Sequence, residues 1–228
     1  MDDLTESERR LYTAPAEYID SDHPAIVAFA QARAAHLPNE RARASVLYKA
    51  VRDEIRYNPY VDMGSLAVFR ASDVLARGEG YCVGKAALYA AALRALAIPA
   101  RAGFADVRNH LTTQKLRERM GGADTFYWHG FTQVFIDGEW RKATPTFNAS
   151  LCEKLGVLPL DFDGRHDALL HPFDSEGRAF MVYQNDHGAF FDVPARFLVR
   201  EMQACYPDLV ATGRGGDMER EAMADRSA

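Results

Sequence analysis

Cysteine is scarce in this sequence and is scattered along it. The 228 residues contain three cysteines, Cys82, Cys152 and Cys205, and no C-x-x-C pair. An odd number of distant cysteines does not build a disulfide framework, and this usage is typical of a reducing compartment. We therefore expect three free thiols in a cytoplasmic protein.

The sequence also lacks the charge pattern of a nucleic-acid-binding protein and the apolar runs of a membrane protein. Its 27 basic and 32 acidic residues leave a net charge of −5, and no basic cluster occurs, which argues against binding to a phosphate backbone. No apolar run approaches the length of a membrane span, and the acidic Asp2 and Asp3 are unlike the start of a signal peptide. We expect neither nucleic acid nor membrane as a partner, and no pattern indicates an oligomeric state.

Cofactor motifs are absent as well. Gly213, Gly215 and Gly216 form the most glycine-rich segment, but they lack the strand–loop–helix setting that a phosphate-binding loop requires. We therefore predict a protein that uses no cofactor.

The most informative segment is a glycine-containing loop that leads into an alanine-rich run. Gly78 and Gly80 favour a sharp loop, and the run from Cys82 to about Leu96 predicts a helix. A cysteine in the first turn of a helix is close to free backbone N–H groups and to the positive end of the helix dipole, and both lower the pKa of a thiol. The alternative is a small buried hydrophobe, as most free cysteines are. We predict that Cys82 is a reactive thiol and that the other two cysteines are inert.

The order of the predicted elements indicates an α+β fold. Helical patterns dominate the first half of the chain, and period-two patterns typical of antiparallel strands follow the cysteine helix. The predicted strands are 100–107, 128–136 and 139–145, followed by a second hairpin made of 178–183, a turn at 186–188 and a return at 190–191. We expect the cysteine helix to pack on an antiparallel sheet. Residues 1–211 then form a single domain, and residues 212–228, which have no apolar pattern, form a disordered tail.

A histidine at the start of a strand is the best candidate for the base that activates Cys82. His129 lies near the start of the strand before Asp137-Gly138, a strong signal for a two-residue hairpin turn. In that register the paired residue numbers sum to 275, so that Phe131 faces Thr144 and His129 faces Thr146. Thr144 is then the diagonal neighbour of His129, within reach of an imidazole.

These motifs and their order resemble the transglutaminase-like superfamily. Gly80-Tyr81-Cys82 is similar to its nucleophile motif, and Trp128-His129-Gly130 followed by Gly138-Glu139-Trp140 is similar to its histidine motif. The resemblance covers roughly residues 45–147. It implies a papain-like fold, a Cys-His-Asp triad in that chain order, and acyl transfer through a thioester to water or an amine.

The sequence departs from the family pattern at the third member of the triad. The resemblance places the aspartate at position 144, where this chain has threonine. A hydroxyl can orient an imidazole but cannot stabilise an imidazolium as a carboxylate does. We predict that Thr144 accepts a hydrogen bond from His129, with Asn148 and Asp106 as the alternative third members. Tyr81 and Trp128, next to the cysteine and the histidine, are expected in the pocket.

Acidic residues and histidines crowd residues 161–174 and raise the alternative of a metal site. The spacing of His166 and His171 lies just outside helical ligand spacing, and aspartates are common in ordinary turns. We therefore predict loop caps and surface charges here, and no bound metal. The candidate ligands are Asp161, Asp163, His166, Asp167, His171 and Asp174, with His110 as a distant addition.

Two further alternatives use the same fold. Loss of the acid is compatible with a non-catalytic binding scaffold, and a thiol–histidine pair is also compatible with lyase chemistry such as carbon–carbon bond cleavage. Among acyl-transfer reactions, we expect a small or peptide-like substrate rather than the cross-linking of two proteins. The reason is that a cross-linking enzyme must admit two proteins, whereas this chain is short and has a polar segment, 109–122, that we expect to cover the site.

Overall fold

The computed structural model describes residues 3–110, 112–170, 181–212 and 215–227. Helices occupy most of the first hundred residues, and the second half of the chain combines a sheet with further helices. The helices are α1 Glu6–Thr13, α2 Pro24–Ala34, α3 Glu40–Glu54, α4 Ala71–Arg77, α5 Cys82–Arg94, α6 Gln114–Arg119, α7 Ala149–Leu155, α8 Ala195–Cys205, α9 Pro207–Thr212 and α10 Met218–Ser227, with a 3-10 turn at Leu66–Val68. The strands are β1 Arg56–Tyr57, β2 Glu79–Gly80, β3 Ala100–Asn109, β4 Thr125–Ile136, β5 Glu139–Ala143 and β6 Met181–Phe190.

Helix α5 is the centre of the core. Every one of its 13 residues is buried, because α2, α3 and α4 pack around it and strands β3 and β4 cover another side. Its many alanines allow these neighbours to approach closely, and the Thr132 hydroxyl of β4 donates to the Ala86 carbonyl at 2.9 Å. The α+β prediction, with the cysteine helix packed on an antiparallel sheet, is confirmed. Among the described residues, no helix has both the length and the apolar character needed to cross a bilayer.

The four-stranded antiparallel sheet has the order β5-β4-β3-β6. The hairpin turn is the predicted one, with Asp137 at φ +52° and Gly138 at φ +79°, and the predicted register holds from Ile136–Glu139 to Thr132–Ala143. The predicted pairing beyond that point is wrong, because β5 ends at Ala143 and the Thr144 N–H donates to the Ala168 carbonyl at 3.0 Å.

Strand β6 differs from the predicted second hairpin. Met181–Phe190 form one strand along β3, with register shifts near Ala105 and Asp106. The residues that suggested a turn are accommodated within the strand, where Gly188 has a φ of +83°. The strand therefore places Tyr183 opposite Val107, on the strand that also pairs with β4.

The tail that the sequence predicted to be disordered contains helix α10, so that prediction is wrong for 218–227. The Glu219 carboxylate accepts hydrogen bonds from Asn148 and Ser150, each at 2.9 Å, and pairs with Lys154. Met218 is also buried. The polar residues of the tail have partners on α7, and sequence composition does not reveal such partners. Residues 213, 214 and 228 lie outside the described residues.

Candidate active site

The chain turns sharply just before Cys82. Gly78 ends α4 with a left-handed φ of +66°, and Glu79–Gly80 then pair with Arg56–Tyr57 as a short parallel ladder. Cys82 is the first residue of α5, and Tyr81, which precedes the helix, provides no side-chain cap. The N–H groups of the first turn of α5 are therefore left without a capping side chain.

His129 is brought to Cys82 by a close contact between β4 and the start of α5. A Cβ placed on Gly130 would lie 2.7 Å from the Val83 Cα and 3.0 Å from its backbone nitrogen, so only glycine allows this approach. Cys82 and His129 are 7% and 4% exposed and line the same pocket. The structure thus brings together the two residues that the sequence predicted as nucleophile and base.

Burial keeps both groups of this pair uncharged. It raises the pKa of the Cys82 thiol to about 11, although the backbone N–H groups of Gly130 and Val83 act in the opposite direction. Burial alone lowers the pKa of His129 to about 4. The expectation of a lowered thiol pKa is therefore wrong for the resting site, because the loss of hydration outweighs the favourable backbone groups.

The two alternative third members, Asp106 and Asn148, have other partners. The Asp106 carboxylate accepts from the Trp128 N–H at 3.1 Å and from His187 Nε2 at 2.8 Å. The Asn148 side chain accepts from the Tyr57 N–H at 3.0 Å and donates to Glu219. Burial is the only cause of the lowered His129 pKa, so no described carboxylate acts on that imidazole.

Asp106 instead supports a strained residue next to His129. Trp128 has a φ of +58°, an uncommon conformation for a bulky side chain. The His187 ring stacks on the indole at 4.0 Å between centroids, and the indole N–H donates to Glu201 at 3.2 Å. His187, from the predicted turn at 186–188, instead lies in β6 and packs against Trp128. Trp128 and Tyr81 do line the pocket, as predicted.

Thr144 does not make the predicted hydrogen bond to His129. Its hydroxyl and His129 Nε2 are both buried and lack a hydrogen-bond partner among the described residues. Tyr183 contacts His129, and the two rings meet edge to face with 6.4 Å between their centroids. The Tyr183 hydroxyl faces the Thr144 hydroxyl without forming a hydrogen bond of normal geometry. Sequence reasoning missed Tyr183, because nothing in its own strand distinguishes it.

We expect a modest role for these two hydroxyls in orienting His129. Thr144→Val and Tyr183→Phe should each lower kcat/KM by at most about ten-fold, because neither described hydroxyl hydrogen-bonds to His129 in the resting site and one such bond formed during the reaction would contribute only about 1 kcal/mol. Steady-state kinetics with an activated ester measures this loss. If Thr144 orients His129 only through its contact with Tyr183, the double variant will be no slower than the slower single variant.

Thr146→Val is the matched control, since the Thr146 hydroxyl is also buried and has no partner in the part of the chain that the structure describes. Its kcat/KM should stay within about two-fold of the parent value, because a substitution that does not affect the Thr144–Tyr183 pair is expected to change the activation free energy by no more than about 0.5 kcal/mol. Unchanged rates in both test variants would mean that packing alone orients His129. A loss near the ~10⁴-fold that a triad carboxylate supplies would mean that the hydroxyls do more than orient the ring.

The acidic residues of 161–167 make the contacts expected of loop caps and surface charges. Asp163 accepts from the backbone N–H of Arg165 and His166 at 2.8 and 2.9 Å, and Asp161 pairs with Arg52 at 2.6 Å. Within the described residues, no group of three His, Cys, Asp or Glu side chains is arranged to hold a metal. His171 and Asp174 lie outside the described residues.

Helices α6, α8 and α9, together with the residues that follow α6 and α8, form one wall of the pocket. Leu116 and Met120 belong to the 109–122 segment, which was expected to cover the site, and they line the pocket with Cys82. The C-terminal helices add three more residues, which the sequence did not indicate. We call these five residues the helical wall: Leu116, Met120, Met202, Tyr206 and Leu209.

Comparison with known proteins agrees with this architecture. The chain has a TM-score of 0.52 and 17% identity to a solved structure from Cytophaga hutchinsonii, provisionally described as a cysteine protease, over 85% of this chain. It spans about half, 50%, of the length of that protein, and the likeness concerns the fold. No curated protein matches the sequence.

Residues 27–145, which include Cys82, His129 and Thr144, match the Transglutaminase-like superfamily. Since the match covers just over half of the residues, the chain belongs to the transglutaminase-like superfamily.

Proposed function

We propose that this protein is a cysteine-dependent acyl-transfer enzyme that hydrolyses or transfers an amide- or peptide-like acyl group. The observation that carries the proposal is the meeting of Cys82, at the uncapped start of α5, with His129 in one buried pocket. The family match supports cysteine-dependent catalysis. The substrate is a small or peptide-like molecule, and no step below needs a cofactor or a metal.

In the first step, Sγ attacks the substrate carbonyl carbon while His129 removes the thiol proton, and the carbonyl oxygen takes up the electron pair. Free N–H groups at the start of α5 are suited to stabilise this oxyanion. When the tetrahedral intermediate collapses, the bond to the leaving amine or alcohol breaks, and His129 returns the proton to that leaving group. Water or an amine then attacks the thioester carbonyl carbon while His129 removes its proton. The carbon–sulfur bond breaks, the carboxylic acid or new amide leaves, and His129 returns the proton to Sγ.

The resting protonation states indicate when the proton moves. The thiol has a pKa of about 11 and the imidazole one of about 4, so an ion pair before substrate binding is unfavourable. The transfer is favourable only as the developing negative charge moves onto the substrate oxygen. His129 thus acts as a general base during the attack, rather than as the positive partner of a stored thiolate.

A non-catalytic binding scaffold is the second candidate. The observation in its favour is that no described carboxylate acts on His129, whose lowered pKa has burial as its only cause. Lyase chemistry has no such supporting observation.

The three free cysteines support a reducing compartment such as the cytoplasm.

Acyl-enzyme trapping tests the proposal. Cys205 is the most exposed of the three cysteines, so Cys205→Ser should serve as the parent protein. With p-nitrophenyl acetate, we expect a burst of nitrophenol equal to the protein concentration and a thioester on Cys82, located by peptide mass spectrometry.

Cys152 is the matched internal control. It is also buried, and burial raises its pKa to about 11 as well, so intrinsic thiol acidity does not favour Cys82 over it. Acylation of Cys82 at least about 100-fold faster, the lower range for a positioned general base, supports the enzyme. Equal labelling of the two cysteines, or no burst, supports the binding scaffold instead.

A further inference from the structure

The pocket that contains Cys82 and His129 has largely apolar walls. Apart from these two residues, the lining is aromatic, aliphatic or thioether, and it carries polar groups in the hydroxyls of its tyrosines, of which that of Tyr81 is buried. The aromatic side chains include Tyr57, Phe126 and Trp128. No Asp, Glu, Lys or Arg lines the pocket in the described part of the chain, and His129 is uncharged at neutral pH because burial lowers its pKa to about 4.

A charged substrate group has no partner in such a pocket. Moving an ionised group from water to an apolar environment without pairing is very costly. An uncharged apolar group instead gains from every Å² removed from water, about 25 cal/mol, and aromatic groups gain further from edge-to-face contacts with aromatic walls. The lining therefore selects against charge and in favour of an apolar, and especially aromatic, group.

The helical wall contributes an adjustable surface. Only about 30 Å³ in the pocket is free for water, which is too little for a phenyl group unless side chains move. Met120 and Met202 belong to this wall, and methionine side chains are unbranched and adapt their shape to a partner. A substrate group can thus be accommodated by side-chain rearrangement of the wall.

We propose that the pocket binds an uncharged apolar group of the substrate, preferably aromatic, which lies next to the scissile carbonyl on its acyl side. The proposal rests on the function proposed above. It adds a substrate class, that of acyl groups with an aryl or aliphatic side chain and no charge. The carbonyl is then at Cys82, and the side chain contacts the helical wall.

A panel of activated esters tests the preference on the Cys205→Ser protein. The second-order rates of Cys82 acylation by the p-nitrophenyl esters of 3-phenylpropionate, acetate and monosuccinate are each divided by the rate of a cysteine-containing peptide. We expect the normalised 3-phenylpropionyl rate to exceed the acetyl rate by about ten-fold or more, the effect of burying one apolar side chain. The anionic succinyl group should react at least about ten-fold more slowly than acetyl.

Two methionine variants relate this preference to the pocket. Met120→Ala removes bulk from the helical wall and should change the ratio of the 3-phenylpropionyl rate to the acetyl rate by more than about three-fold. Met181→Ala is the matched control, since Met181 is equally buried at 3% but lies in β6 away from the pocket lining. That variant should leave the ratio unchanged.

Binding to Cys82→Ser separates this inference from the proposed function. Isothermal titration should detect 3-phenylpropanamide and not the anionic succinamate. If the aromatic amide binds but no ester acylates Cys82, the enzyme proposal fails and the pocket assignment stands. If Cys82 is acylated but phenylpropionyl and succinyl react at equal normalised rates, the substrate class is wrong. Equal responses of Met120→Ala and Met181→Ala would also overturn the pocket assignment.

Discussion

His129→Gln is expected to slow the acylation of Cys82 by about 10²–10⁴-fold, the range of a positioned general base. The thiol has a pKa of about 11 and cannot attack efficiently at neutral pH unless a base removes its proton. The initial burst rate with p-nitrophenyl acetate, measured on the Cys205→Ser protein, gives the size of the effect. His166→Gln is the control, because His166 is exposed and pairs with Asp163 in a loop. A rate for His129→Gln within about two-fold of the parent would exclude the base role.

The same variant should alter how stability depends on pH. The folded pKa of His129 is about 4, below the unfolded value of about 6.5, so the unfolded chain binds more protons between these values. This contribution to stability is complete above pH 6.5 and is lost as the pH falls towards 4. Between pH 7 and pH 5 we expect a loss of about 2 kcal/mol in unfolding free energy that His129→Gln does not share. Urea denaturation at both pH values measures it, and equal losses in the two proteins would contradict the neutral buried imidazole.

Gly130→Ala is expected to abolish most of the activity. Its Cβ would lie 2.7 Å from the Val83 Cα, a backbone atom that no rotamer change can move away. Strand β4 would have to withdraw from the start of α5, which separates His129 from Cys82. A displacement of about 1 Å at a reacting centre costs about 100-fold in rate, and overpacking costs about 1–3 kcal/mol of stability. The ester burst rate and the urea midpoint measure the two effects.

Gly64→Ala is the matched glycine control for this prediction. A Cβ at that position would meet only the Asp62 carboxylate oxygen at 3.4 Å, an ordinary contact distance. Its activity and urea midpoint should be unchanged. Full activity in Gly130→Ala would show that the contact between β4 and Val83 does not determine the distance between base and nucleophile.

Local signals were sufficient for the parts of the site that depend on neighbours in sequence. The glycine loop before Cys82 predicted the start of α5, and Asp137-Gly138 predicted the hairpin turn and its register up to Ala143. Both follow from backbone conformations that few residues adopt. The order of the cysteine and histidine motifs then predicted that the two residues would meet.

The remaining features depend on contacts between distant segments. The end of β5 is determined by the bond from Thr144 to Ala168, and the role of Asp106 by His187 on a strand 81 residues away. The predicted thiol acidity failed for a similar reason. The helix start is visible in the sequence, but the burial that raises the pKa of Cys82 comes from the packing of residues such as Leu116 and Met202 around the pocket.

The neutral, enclosed thiol described above has a consequence for oxidative damage. Peroxides react with the thiolate and not with the protonated thiol, and Cys82 combines a pKa of about 11 with an exposed fraction of 7%. A nucleophile stored in this form resists conversion to sulfenic and sulfinic acids between turnovers. Enzymes that keep a permanent thiolate–imidazolium pair lack this protection. Under the function proposed above, we expect Cys82 to react only in the complex with substrate, when the pocket is already filled.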